Sequence, residues 1–443
     1  MRARATGRTA VGSAVAAAIL AVATALAPVL LPGAATAATG ADAFFTYSGS
    51  KPLSDYPPGS VLKTRTIPYS LAGIPTPLAV RQIVFRSTDQ RGRAVAAVTS
   101  VIKPLGGSTA KVISYQSFYD SLNPEDGPSR AIAGGTNPGG LAAHFETAMM
   151  ASFLLQGFAL VIPDTEGPTA DFAAGPEYGR VTLDSLRAAF RATGTGIAPG
   201  ARAGLIGYSG GAIATNWASV LAPSYAPGIN RRLVGAAEGG VLVRPSANLP
   251  YVDGSLVWAG VAPMAIVGVS RAFGIDLQPY LSDYGKQVHT RMQKASITQV
   301  LGAYPGLTWK KLVKPAYADP ASIPIFVSTV NKLNLGVRPN PTVPMFIGQG
   351  TRGELEGTSG SKPGLGAGDG VMIAGDVRTL ARKYCAAGVR VVHREYALSH
   401  FTSVALWLPQ ATTWLTARFG TTPAPTNCST IKAGNPLTPL KAV

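Results

Sequence analysis

The 443-residue chain is poor in histidine, cysteine and acidic side chains: it holds four His, two Cys and 22 Asp plus Glu, against 39 Lys plus Arg. Two cysteines allow at most one internal bridge, which excludes a disulfide-dense scaffold. Four histidines leave few candidates for a general base. The shortage of acids gives a net charge of +17, which suits adsorption to anionic lipid, fatty-acid carboxylates or acidic polymers, or simply keeps an exported protein in solution. Nucleic acid is not an expected partner, because the chain has neither a nucleic-acid motif nor an interleaved basic and aromatic run. No internal repeat is present, and no stable protein partner is expected.

Long apolar runs are also scarce. The clearest lies at 11–31, behind Arg2, Arg4 and Arg8 and ahead of Ala35-Thr36-Ala37. This is the layout of a secretory signal peptide, 1–37, and Pro28, Pro32 and the small-residue cleavage site argue against a retained membrane anchor. Its removal takes away three arginines and no other charge, leaving +14 on a secreted, extracellular chain. In that oxidising setting Cys385 and Cys428 are expected to pair and tie the Pro-rich C-terminal tail to the body.

The roughly 400 remaining residues suffice for one large domain with an insertion. Two β-like runs, 80–87 and 93–102, flank a turn at 89–92 and read as a hairpin. The pattern then alternates: strands at 112–115, 158–162, 203–206 and 233–237, and helices at 139–156, 181–193 and 212–221. Leu141, Phe145, Met149 and Phe153 share one side of the first helix. Alternation of this kind predicts a mostly parallel sheet covered by helices on both faces. It stops between 240 and 340, where Pro, Gly, Tyr and short helical patterns such as 275–293 take over. The apolar run 256–269 is too short and too interrupted to span a membrane and reads as a buried or substrate-facing cap helix. Core architecture resumes with strands 343–347 and 389–396, helix 376–387 and a closing helix 401–419. The expected divisions are thus a core in two parts, 38–239 and 341–420, a mainly helical cap at 240–340, and a tail at 421–443.

Gly207-Tyr208-Ser209-Gly210-Gly211 carries the strongest chemical signal. It is the chain's only complete G-x-S-x-G match, and it stands between a predicted strand and a predicted helix, the setting of a nucleophile elbow. A serine hydroxyl attacks an acyl carbonyl only with a histidine to take its proton and a carboxylate to hold that histidine. His144 lies within a helix, His289 within the insertion and His393 within a strand. His400 follows the last strand and precedes the closing helix, where such a base belongs. Glu354, Glu356, Asp369 and Asp376 are eligible for the acid. Asp369 is preferred because a Gly-Asp-Gly turn can aim a short carboxylate inward, whereas Asp376 reads as the N-cap of the next helix. For the oxyanion, the amide of Gly210 is the first donor. No His-Gly-Gly-Gly run supplies a second, so the turn 116–121, around Asp120, is the candidate. Tyr208 and Trp258 are expected to contact substrate, and Leu256, Val257, Ile266 and Val267 to line an acyl tunnel with Trp258. This chemistry requires no metal or cofactor.

Several segments together resemble the secretory lipases of the yeast lipase A type: Gly59-Ser60-Val61-Leu62, Phe85-Arg86-Ser87-Thr88-Asp89, Ser114-Tyr115-Gln116, Asp164-Thr165-Glu166-Gly167-Pro168, the elbow with Ala212, Tyr384-Cys385 and His400. The resemblance implies an α/β-hydrolase core, a helical cap, hydrolysis of lipid or other acyl esters with transient adsorption to a lipid interface, and a triad on Ser209, Asp369 and His400. It also strengthens Asp120 as the second oxyanion residue. The rival readings are a secreted serine peptidase, a secreted acyltransferase with the same triad, and a non-catalytic envelope-binding protein that keeps the fold.

Overall fold

The structure, a computed structural model, describes residues 42–443. The expected signal peptide lies outside the described residues. A nine-stranded sheet runs through the molecule in the order β1-β2-β3-β5-β4-β6-β7-β8-β9. β1 (Val61–Leu71), β2 (Ile74–Thr88) and β3 (Ala94–Ile102) are antiparallel, and β3 pairs antiparallel with β5 (Ala159–Pro163). From β5 onward β4 (Thr109–Gln116), β6 (Ile197–Tyr208), β7 (Leu233–Gly239), β8 (Met345–Gly350) and β9 (Val391–Tyr396) are all parallel. Every residue of β5 and β8 is buried, as strands covered on both faces must be.

Among the described residues, long helices cover both faces. α1 (Leu141–Leu155) and α9 (His400–Ala417) pack on one side, where Phe153, Trp407 and Leu415 meet Ile113, Leu160 and Ile206. α2 (Gly175–Arg191), α3 (Gly210–Tyr225) and α8 (Ala374–Ala386) pack on the other, where Leu186, Trp217 and Leu380 meet Val112, Val161 and Leu205. Between β7 and β8 the chain forms a cap from α4 (Pro245–Val252), α5 (Val261–Phe273), α6 (Asp283–Met292) and α7 (Pro324–Lys332), and one of its apolar clusters is shared with the core through Leu122, Phe172 and Met372. This is an α/β-hydrolase fold. Among the described residues no helix is long and apolar enough to cross a membrane. Cys385 and Cys428 form a disulfide that pins the tail to the end of α8.

The elements differ from the sequence reading in places. β1 was not expected; its Lys, Arg and Thr residues and Pro68 obscure the apolar alternation, and such a sequence is tolerated because the strand lies at the sheet edge. The apolar side of α1 divides: Phe153 is fully buried, whereas Leu141 and Phe145 are exposed. His144 turns inward between them and accepts a 3.2 Å hydrogen bond from the amide of Ala72 in the β1–β2 turn. Asp376 does not cap α8. Ile373 holds that position, and Asp376, inside the first turn, pairs with Arg244 at 3.1 Å.

Candidate active site

β6 ends in Tyr208, and the chain reverses at Ser209 into α3. Ser209 has φ 55° and ψ −121°, a strained conformation for a residue with a side chain. The glycines make the turn feasible: a Cβ on Gly207 would strike the carbonyl of Gly211, and one on Gly211 the carbonyl of Gln116. The amide of Ser209 donates to the carbonyl of Gly239 at 2.9 Å, which fixes the turn against β7. Ser209 alone of the five elbow residues is not buried.

His400 comes from the far end of the chain. It is the first residue of α9 rather than a loop residue, because Ser399 caps the helix in a reciprocal arrangement with Thr402. Its Nε2 lies 2.8 Å from Ser209 Oγ, and its Nδ1 lies 2.8 Å from Asp369 Oδ2. Asp369 is fully buried; its Oδ1 accepts from the amides of Val371 and Met372, and its carbonyl accepts from the amide of His400 at 2.7 Å. Of the four acids eligible in the sequence, Asp369 therefore reaches Nδ1. Glu354 pairs with Arg352 at the surface. Burial lowers the pKa of His400, but the charge and hydrogen bond of Asp369, with the charges of Glu356 and Asp120, outweigh it and leave the pKa raised.

The turn after β4 brings Asp120 against the elbow. Asp120 has φ 31°, and its carboxyl lies so close to Gly210 that no side chain would fit there. Burial raises its pKa to about 7, against the lowering effect of His400. Two buried carboxyl groups brace this turn. Glu146 of α1 accepts from the amide of Phe118 at 2.9 Å, from Tyr115 Oη at 3.0 Å and from Ser117 Oγ. Glu166 accepts from the amide of Ser121 at 3.1 Å and from Tyr178 Oη at 2.9 Å. Neither was singled out for a role from the sequence; the only signal was the segment Asp164-Thr165-Glu166-Gly167-Pro168 containing Glu166. The turn is also joined to the cap: Ser121 and Ser296 form an isolated antiparallel bridge, and the amide of Ile297 donates to the carbonyl of Asp120 at 2.8 Å.

A cavity runs from Ser209, Gly210 and Asp120 into the cap, lined by Leu249 of α4, Ala262, Ala265 and Ile266 of α5, and Phe326 and Val330 of α7. Trp258 and Ile266 line it as expected. Val257 and Val267 do not, and Leu256 is exposed. Tyr208 is likewise displaced from its expected substrate contact: it lies behind His400, donating from its hydroxyl to the His400 carbonyl at 2.6 Å and packing against Trp407. Among the described residues no group of three or more His, Cys, Asp or Glu is placed to hold a metal ion.

Known proteins are similar to this chain in both sequence and architecture. Lipase 1 of Candida albicans is 30% identical over 385 residues, 84% of this chain and 79% of that protein. A probable inactive lipase of Mycobacterium tuberculosis is 28% identical over 374 residues, 83% of this chain and 79% of that one. The X-ray structure of Candida antarctica lipase A in its closed state superposes with a TM-score of 0.75 at 27% identity, covering 89% of each chain. The model of the secretory lipase family matches residues 135–427. The chain belongs to that family and is a carboxylic ester hydrolase of the lipase type.

Proposed function

We propose that the protein hydrolyses lipid acyl esters through a covalent acyl-enzyme on Ser209, with His400 as general base and then acid, and Asp369 holding the imidazole. The observation that carries this reading is the continuous chain of two 2.8 Å hydrogen bonds from Ser209 Oγ through His400 to Asp369, set at the mouth of an apolar cavity. Ser209 Oγ gives its proton to Nε2 as it attacks the carbonyl carbon, and the imidazolium formed is stabilised by the Asp369 carboxylate. The carbonyl oxygen gains negative charge beside Gly210 and Asp120, whose backbone amides are the donors proposed for it. His400 then returns the proton to the departing alcohol, and water repeats the sequence to release the acid. The acyl chain lies in the cap cavity, whose wall of Leu249, Ala265, Ile266 and Phe326 suits a hydrocarbon.

The same reading has the chain exported by the leader at 1–37 and adsorbing transiently to lipid surfaces. The similarity to a probable inactive lipase makes the site itself the point to test. Ser209→Ala should lower turnover of a chromogenic acyl ester by about 10⁴-fold or more while leaving the thermal transition in place; a variant that retains most of its activity overturns the assignment of the nucleophile.

A further inference from the structure

A second carboxylate stands near the base without joining the chain from Ser209 to Asp369. Glu356 ends the short turn Gly353–Glu356 that follows β8 and is 9% exposed. Its Oε2 accepts a 2.7 Å hydrogen bond from Trp258 Nε1 of the cap. Its Oε1 accepts a 2.8 Å bond from the amide of Phe401, the residue after His400. The Trp258 ring meets the His400 imidazole edge-on, with centroids 5.1 Å apart, and stacks on Phe401 at 4.9 Å. The loop carrying the acid closes over the same pair: Gly370, next to Asp369, has φ 126°, and a Cβ there would lie 2.8 Å from Trp258 Nε1 and 2.9 Å from Glu356 Oε2. One carboxylate thus joins the cap, the start of the base-bearing helix and the acid-bearing loop.

Burying a carboxylate is costly unless its oxygens are bonded and its charge is compensated. Both Glu356 oxygens are committed to groups that flank His400; burial raises the Glu356 pKa, and the charge of His400 is the strongest influence opposing that rise. We propose that Glu356 is a positioning residue for ester hydrolysis, latching Trp258 of the cap over His400 so that the imidazole is oriented and shielded from water only when the cap is seated. This rests on the assignment of Ser209, His400 and Asp369 given above. When His400 takes the serine proton, Asp369 stabilises the new charge directly and Glu356 adds to that stabilisation at longer range. The other titratable groups facing His400 are Asp120 and Tyr208, and those facing Glu356 are Tyr208 and Tyr251.

Two substitutions and their combination test the latch. A glutamine at 356 cannot accept from both donors, because one end of its amide is an NH₂ group. Glu356→Gln is therefore expected to lower kcat on a chromogenic acyl ester by about tenfold or more with a much smaller change in KM, and to move the acid limb of the kcat/KM pH profile down by about half a unit or more as a negative charge near His400 is lost. Trp258→Phe keeps a ring but removes the donor; it should lower kcat, leave the acid limb in place and add nothing further in the Glu356→Gln background. A Glu356→Gln enzyme with wild-type kcat and an unmoved acid limb overturns the latch, as do losses that simply add. Should Glu356→Gln fail to fold, unchanged kcat in Trp258→Phe overturns the latch by itself, and reduced kcat supports it. Ser209→Ala, assayed alongside, separates the two readings: activity there sinks the nucleophile, whereas its loss with a wild-type-like Glu356→Gln sinks the latch alone.

Discussion

At Asp120 two electrostatic demands meet. Its carboxyl abuts Gly210, where negative charge develops during attack, so an ionised side chain there opposes the reaction and a neutral one does not. Burial holds its pKa at about 7, so kcat/KM is expected to decline as pH rises through that value, while at lower pH it rises as His400 loses its proton. Asp120→Asn stays neutral at every pH and suits a residue at φ 31°. It should abolish the alkaline limb; an unchanged alkaline limb in a pH profile of the variant would refute this. The convergence of Ser209, Asp369 and His400 was legible in the sequence because glycine spacing and chain order constrain those positions locally. Glu146 and Glu166 were not, since their partners are backbone amides 28 and 45 residues away. The packing of Tyr208 behind His400 was not legible either, because adjacency to a nucleophile in sequence does not fix where a side chain packs.

Among the elements, α5 contributes most to the cavity wall. Ala262, Ala265, Ile266 and Val269 recur at three- and four-residue spacing and form the face that lines the cavity. Expectation and structure differ by a few residues here: the run 256–269 becomes a helix only from Val261, which moves Leu256 and Val257 off the wall. Apolar content alone does not indicate where a helix begins, and therefore not which face turns inward. Ala265→Phe should narrow the cavity and lower the ratio of kcat/KM for a long-chain ester to that for an acetyl ester by at least about tenfold; an unchanged ratio would mean that the acyl chain lies elsewhere. The parallel strands were the most legible elements, since burial on both faces makes them continuous apolar runs, whereas edge strand β1 carries no such signature.

On the scale of the whole molecule, buried carboxyl groups outside the site link stability to pH. Burial raises Glu238 in β7 from 4.5 to about 8 despite a hydrogen bond from Asn216 Nδ2, and burial, with the charge of Asp171, raises Glu177 to about 8. Below pH 4.5 both the folded and the unfolded chain hold these protons, and no penalty arises. Between about 4.5 and 8 the unfolded chain releases them while the folded one does not, so their contribution to stability is lost as pH rises through the folded values. The melting temperature of Glu238→Gln relative to the parent should therefore increase from pH 5 to pH 8, and a constant difference across that range would exclude the effect.

The short seam where Ser121 meets Ser296 and Ile297 meets Asp120 has a mechanical consequence. Any outward swing of the roof large enough to part those residues also removes a support from the turn on which the developing anion depends. Admission of a bulky guest and readiness to cleave it are thus opposed states of one joint, and each turnover that needs a wide entrance must reseat the joint before a bond can break.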